Sequence, residues 1–228
     1  MVGAAKLALR QKDSAIQTGS GRDLTLGGKK TFMVPVGASV LTDPLDMAVP
    51  QFSDLLISLY FPGETRVPTM HQTALHTSYI APKGDWTARA DFEGATTSTS
   101  WYFLSALHVM APATVATLVT LGDSITDGAV STVNTDRSWP SVLAKRLAQN
   151  GTARIGVANQ GLSGNRLLRD GTGANALARF DRDVLGVNGA KVKSLDELRA
   201  AAKKRNGKVV ALLIERDNAQ IFVPVRVG

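Results

Sequence analysis

Val115-Ala-Thr-Leu-Val-Thr-Leu-Gly-Asp-Ser-Ile-Thr-Asp-Gly128 is the stretch on which the fold turns. Residues 115–121 form an unbroken apolar, β-branched run, as expected for a strand buried on both faces. Gly122-Asp123-Ser124 stops it. A helical pattern follows over 138–149, with Trp139, Val142, Leu143 and Leu147 at spacings of three and four, Ser138 as N-cap and Pro140 in the first turn. Residues 155–158 read as a second short strand, and 174–184 as a second helix carrying Leu177, Phe180, Asp181 and Val184. Strand–helix–strand–helix opens a parallel α/β layer.

Upstream the rhythm is that of β-structure. Short runs at 31–36, 55–61, 77–81 and 101–109 are separated by Gly27-Gly28, Asp43-Pro44, Phe61-Pro62-Gly63 and Pro82-Lys83-Gly84-Asp85. Short strands with turn signals at this spacing predict a sandwich-like portion. Downstream, Ser194-Leu-Asp-Glu-Leu-Arg199 fits a capping box that starts a helix. Two further runs, 209–215 and 221–227, predict a hairpin. The expected fold class is therefore mixed α/β in three parts: 1–112 sandwich-like, 113–185 α/β, and 186–228 a helix plus a hairpin.

Composition narrows the chemistry. The chain has 228 residues and no cysteine, which excludes disulfide scaffolds, cysteine-ligated zinc and thiol nucleophiles. No apolar run reaches the ~18–20 residues needed to span a bilayer, so no membrane association is expected. The first residues lack the apolar core of a signal peptide, which predicts a cytoplasmic location as encoded, with the parent proteins read as secreted or periplasmic. The net charge is +7, but residues 1–110 are balanced and nine basic against four acidic side chains fall in 186–228. Lys203, Lys204, Arg205 and Lys208 cluster there at a predicted helix end, where cations suit the helix dipole. No aromatic residues interleave with them, so a nucleic-acid partner is not expected.

Val119-Thr-Leu-Gly-Asp-Ser-Ile-Thr-Asp-Gly128 resembles the first block of the SGNH (GDSL-type) esterases and lipases. Asn159-Gln-Gly-Leu-Ser-Gly-Asn-Arg-Leu-Leu-Arg-Asp-Gly171 looks like their second block, and the likeness continues through Ala176-Leu-Ala-Arg-Phe-Asp-Arg-Asp-Val-Leu185. The β zone from Gly3 to Val109 is similar to an accessory sandwich of one branch of these enzymes, so the resemblance covers about residues 3–185. Within it, the first strand reads as an internal one, as if the start were clipped. The resemblance implies Ser124 as nucleophile, the Gly161 N–H as a second oxyanion donor beside that of Ser124, and Asn165 as a residue that orients substrate. A strand feeding a tight turn suits this chemistry, because it projects the serine from the carboxyl end of the sheet. Two family features are absent: Gly-x-Asn-Asp, and the Asp-x-x-His that activates the serine. The histidines are His71, His76 and His108, preceded at three residues by Pro68, Thr73 and Ser105.

Asp183-Val-Leu-Gly-Val-Asn-Gly-Ala-Lys-Val-Lys-Ser-Leu-Asp-Glu-Leu-Arg199, running on to Phe222-Val-Pro-Val-Arg-Val-Gly228, resembles the latter part of a PDZ domain of the HtrA-type proteases. This second resemblance covers about residues 184–228 and implies a chimera. Its carboxylate-binding half is missing, which argues against peptide capture. Uncovered strand edges in two shortened domains predict a homo-oligomer.

Three functions stay open. One is hydrolysis of a small-molecule ester at Ser124 with a base recruited among His71, His76 and His108, His71 or His76 ahead of His108, and needing no cofactor. Another is metal-assisted hydrolysis of activated esters or phosphoesters, with His71 and His76 holding a divalent metal such as zinc. His71 and His76 are five apart, on opposite faces of a strand, so chelation requires a turn between them and further ligands. The third is a non-catalytic scaffold. The loose match Gly171-x-Gly173-x-x-Ala176 follows no strand, so no dinucleotide is expected.

Overall fold

The computed structural model describes residues 1–65, 68–112, 114–149 and 155–184, and the backbone alone of 185, 209–216 and 219–226. The chain divides into two compact units, Met1–Leu107 and His108–Gly228.

In the first unit, β1 (Ala4–Lys12) is the organising strand. It pairs antiparallel with β2 (Ala15–Ile16), β3 (Arg22–Asp23) and β4 (Leu55–Tyr60), the last in register from Ala4↔Tyr60 to Leu9↔Leu55. Two short antiparallel ribbons follow. One joins β5 (Met70–His71) to β8 (Trp101–Tyr102), the other β6 (Ser78–Ile80) to β7 (Thr96–Ser98). Alternation along β1 buries Ala5 and Leu7 on one face, and Ala8 and Val2 complete the small apolar core. The loop after β3 is closed by Asp43, whose carboxylate accepts from the Thr25 hydroxyl at 2.6 Å and from the Gly27 and Gly28 N–H groups. Those bonds, the Thr25 hydroxyl first, hold its pKa below the usual carboxylate range.

Two predicted strands of this unit are shorter than expected. The run 31–36 makes only a bridge between Phe32 and Val2, because Pro35 offers no N–H and the chain turns there, with Ala38 N–H on Pro35 O. The run 101–109 stops after Tyr102, where Phe103 takes φ 59°. His108 consequently lies on no strand and is exposed.

The second unit begins with β9 (Ala116–Gly122), a one-turn helix α1 (Ser124–Asp127), α2 (Trp139–Gln149) and β10 (Ile155–Gly161). β9 and β10 are parallel, paired from Ala116↔Ile155 to Gly122↔Gly161, so both strands end on one rung. The crossover between them contains α2, which packs on β10, as a parallel pair requires. Pro140 is the fully buried side chain of α2, whereas Trp139, expected on the apolar face, is partly exposed. After β10 comes α3 (Ala176–Phe180), capped by the Asn175 side chain on Ala178 N–H and widening into a π-turn over Asp181–Leu185. Its buried face is Ala176, Arg179 and Asp183 rather than one bearing Leu177, which is exposed, because Ala176 N–H is tied to Arg166 O and sets the rotation of the helix. β11 (Val209–Arg216) and β12 (Ala219–Arg226) pair antiparallel, from Val209↔Arg226 to Arg216↔Ala219, as the predicted hairpin. The predicted helix from Ser194 and the cluster at Lys203 lie outside the described residues.

Leu7→Ala should cost the first unit about 3 kcal/mol, the usual penalty for a cavity at a buried leucine. Urea denaturation should show a lower midpoint with an unchanged slope.

Candidate active site

Ser124 stands at the first position of α1, two residues past the end of β9. The turn that puts it there is held locally by Asp123, whose side chain accepts from Ile125 N–H at 3.0 Å and whose carbonyl accepts from Asp127 N–H at 2.9 Å. As the first residue of a helix, Ser124 has a main-chain N–H without an intrahelical acceptor. Its side chain is half-buried, and within its own unit the hydroxyl makes no hydrogen bond among the described residues.

The β10 end folds over the same turn. Asn159 Nδ2 donates to Thr126 O at 2.9 Å, and Asn159 Oδ1 accepts from Gly161 N–H at 2.9 Å. A Cβ on Gly161 would run into the backbone of Thr126 and Asp127, so only glycine permits this approach. Beyond it, Leu162 N–H donates to Gly122 O at 3.0 Å, and Ser163 donates to Asp127 Oδ2 from its N–H at 2.8 Å and its hydroxyl at 2.6 Å. Gly164 follows at φ +79°, exposed, its N–H making no hydrogen bond among the described residues.

Of the expected site residues in this unit, Ser124 follows the turn at the end of β9. Gly161 and Asn165 already have partners: the Gly161 N–H is taken by Asn159. The Asn165 amide donates to Thr172 O at 3.1 Å and Ala174 O at 2.8 Å, while its oxygen accepts from Arg179 Nε at 3.1 Å.

Arg179 and Asn159 were not singled out by the sequence. Arg179 is 4% exposed and donates from Nη1 to Gln160 O and Asp183 Oδ2, both at 2.8 Å, and from Nη2 to Gly122 O at 3.1 Å. Asp183 also pairs with Arg182 Nε at 2.6 Å. Burial pushes the Asp183 carboxyl up, but hydrogen bonds from Arg182 and Arg179, with their charges, outweigh it and hold the group below the usual carboxylate range. The spacing Arg179-x3-Asp183, one helical turn, was the available signal for the pair. For Asn159 the signal was an Asx side chain two residues before a glycine N–H.

His71 and His76 lie in the first unit, Ser124 in the second. The ring centroids of His71 and His76 lie 6.0 Å and 6.3 Å from that of Trp101, and the chain turns between the two histidines. Among the described residues no group of three or more histidine, aspartate or glutamate side chains is placed to hold a metal ion. No helix among them is long and apolar enough to cross a membrane.

Residues 120–214 match the GDSL-like Lipase/Acylhydrolase family. The matched stretch takes in the end of β9, the Ser124 turn, β10 and its loop, and α3, and it supports a hydrolase of the SGNH kind acting on esters. It also runs across 186–214, which the sequence assigned to a PDZ-type fragment, and nothing in the comparisons supports such a fragment or a chimera. No curated protein matches the chain.

The lowered pKa of Asp183 makes its ion pairs a source of stability that is fully present above the ordinary carboxylate pKa of about 3.9 and lost as pH falls through the depressed value. Thermal melts should therefore show the second unit weakening in acid below about pH 4. Asp183→Asn should lower stability by about 3 kcal/mol at pH 7 and flatten that acid limb.

Proposed function

We propose that the chain is a weak ester hydrolase with Ser124 as nucleophile. The observation that carries this is the strand–turn–helix that sets Ser124 at the carboxyl end of a parallel pair, inside the stretch matched to the acylhydrolase family. In this reading Ser124 Oγ attacks the ester carbonyl, and its proton passes to a histidine. The same proton leaves with the alcohol, and water then releases the acid. The Ser124 N–H supports the oxyanion. Gly161 can add its N–H only by releasing Asn159 Oδ1, whereas the Gly164 N–H has no such tie among the described residues, so we take Gly164 as the better second donor. Asn165 acts on substrate indirectly, by shaping the loop. The base in this reading is His71 or His76 ahead of His108, and the lack of the family's Asp-x-x-His predicts a low rate.

The rival reading, a divalent metal such as zinc on His71 and His76, draws support from the turn that brings both rings to Trp101, and it requires further ligands. For residues 186–228 we keep the PDZ-type origin as a proposal, supported by the motif from Asp183 to Arg199 and by the β11–β12 hairpin.

Ser124→Ala should reduce turnover of p-nitrophenyl acetate and butyrate to the uncatalysed rate with an unchanged melting temperature, and one histidine substitution should match it. If Ser124→Ala keeps its rate while a chelator and His71→Ala both silence it, the metal reading replaces the serine one.

We also propose that the chain self-associates. Val36 in the first unit, and Met110, Val130 and Ile125 in the second, are each more than three-quarters exposed, apolar side chains that a second copy would cover. Light scattering at micromolar concentration should give a mass of at least two chains; a monodisperse monomer refutes this.

A further inference from the structure

Gly122 and Gly161 form the last rung of the β9–β10 ladder, and both strands turn away beyond it. Strand pairing therefore does not reach the peptide units that aim Ser124. The carbonyl of Gly122, two residues before the serine, accepts instead from Leu162 N–H and from Arg179 Nη2. The carbonyl of Gln160, on the neighbouring strand, accepts from Arg179 Nη1. One planar guanidinium thus spans the ends of both strands, while its Nε holds the Asn165 side chain.

We infer that Arg179 is a positioning residue for Ser124, fixing the Gly122–Asp123–Ser124 backbone by tying the ends of β9 and β10 together; as a statement about catalysis, this rests on Ser124 being the nucleophile. The argument is geometric. Arg179 makes bonds in three directions, to Asn165, to Gln160 and Asp183, and to Gly122. A fork with five donors in one plane does this, and the point charge of a lysine does not. Asp183 neutralises the buried charge through Nη1, the nitrogen that also bonds Gln160 O, and itself bonds neither strand end in any bond found among the described residues. Its role in the pair is thereby separable from that of the fork. A displacement of about 1 Å at a reacting atom typically costs about 10²-fold in rate, so loosening Gly122 would register in turnover before it registers in the fold.

The test compares Arg179→Lys with Asp183→Asn in the full chain. Both weaken the ion pair and should lower the melting temperature. Arg179→Lys alone should reduce kcat for p-nitrophenyl butyrate about 10²-fold with KM nearly unchanged. It should also slow labelling of Ser124 by a p-nitrophenyl phosphonate in parallel, and speed hydrogen exchange across 121–128 and 160–166. Asp183→Asn should keep kcat within about threefold and speed exchange only by the amount its lower stability gives throughout the second unit, with no excess across 121–128 and 160–166. Equal losses of kcat in the two variants, or unchanged exchange in Arg179→Lys, overturn the inference. Faster exchange in Arg179→Lys, with a wild-type chain that phosphonate does not label at Ser124, supports the anchoring and overturns the nucleophile instead. If Arg179→Lys does not fold, the unaltered chain decides. Separate, slowly exchanging guanidinium proton signals of Arg179 in its NMR spectrum support the anchoring, and averaged signals overturn it.

Discussion

A guanidinium taken out of water loses several kcal/mol of hydration, and the loss is tolerable only where its protons meet acceptors and its charge meets an anion. Arg179 satisfies both conditions with two main-chain carbonyls, the Asn165 amide oxygen and the Asp183 carboxylate. The acceptors come from four parts of the second unit: the end of β9, the end of β10, the loop that follows, and the π-turn after α3. Shifting any one of them would strand a buried charge. The arrangement is thus less a source of net stability than a constraint on geometry, since the alternatives are worse than the observed state.

That constraint matters because the apolar interior around it is thin. Thr120, Thr126, Arg179 and Asp183 are among the most buried side chains of the second unit, beside Ala176 and Pro140. Hydrophobic burial is non-directional and would hold β9 against β10 without specifying how the chain turns at their ends. Hydrogen bonds do specify it. Asn159 clamps α1 from below, Ser163 grips Asp127, and Gly161 lets β10 approach the helix backbone closely. Among the described residues no buried side-chain nitrogen or oxygen lacks a partner, which such a polar interior needs.

The chemistry proposed at Ser124 follows from this economy. A serine at the first turn of a helix needs no special residue to project it, only a turn that keeps its shape. A base is a separate requirement, because an unassisted hydroxyl is a poor nucleophile near neutral pH. Within the first unit, two imidazoles lie near one indole, and Leu75 between them takes the left-handed conformation at φ +57°. Two imidazole nitrogens alone fall short of the coordination a catalytic zinc uses.

The sequence by itself determined the elements whose signals are local. The β-branched run ending at Gly122, the start of α2 after Ser138 and the hairpin of β11 and β12 each depend on residues within a few positions of one another, and so did the placement of Ser124 after the strand. Elements set by distant partners were not legible. The run 31–36 has strand-like composition, yet its pairing ends at the Phe32–Val2 bridge. Leu177 looks like the core residue of α3, but the bond from Ala176 to Arg166 rotates the helix so that Arg179 faces inward. Gly161 and Asn165 lie in the right loop, and only the fold reveals that their polar groups are already engaged. Beyond its spacing from Asp183, Arg179 carries no local signal that sets it apart from the other arginines of the chain. Its meaning comes from Gly122, 57 positions away, and a contact of that length leaves no periodic or neighbouring trace in the chain.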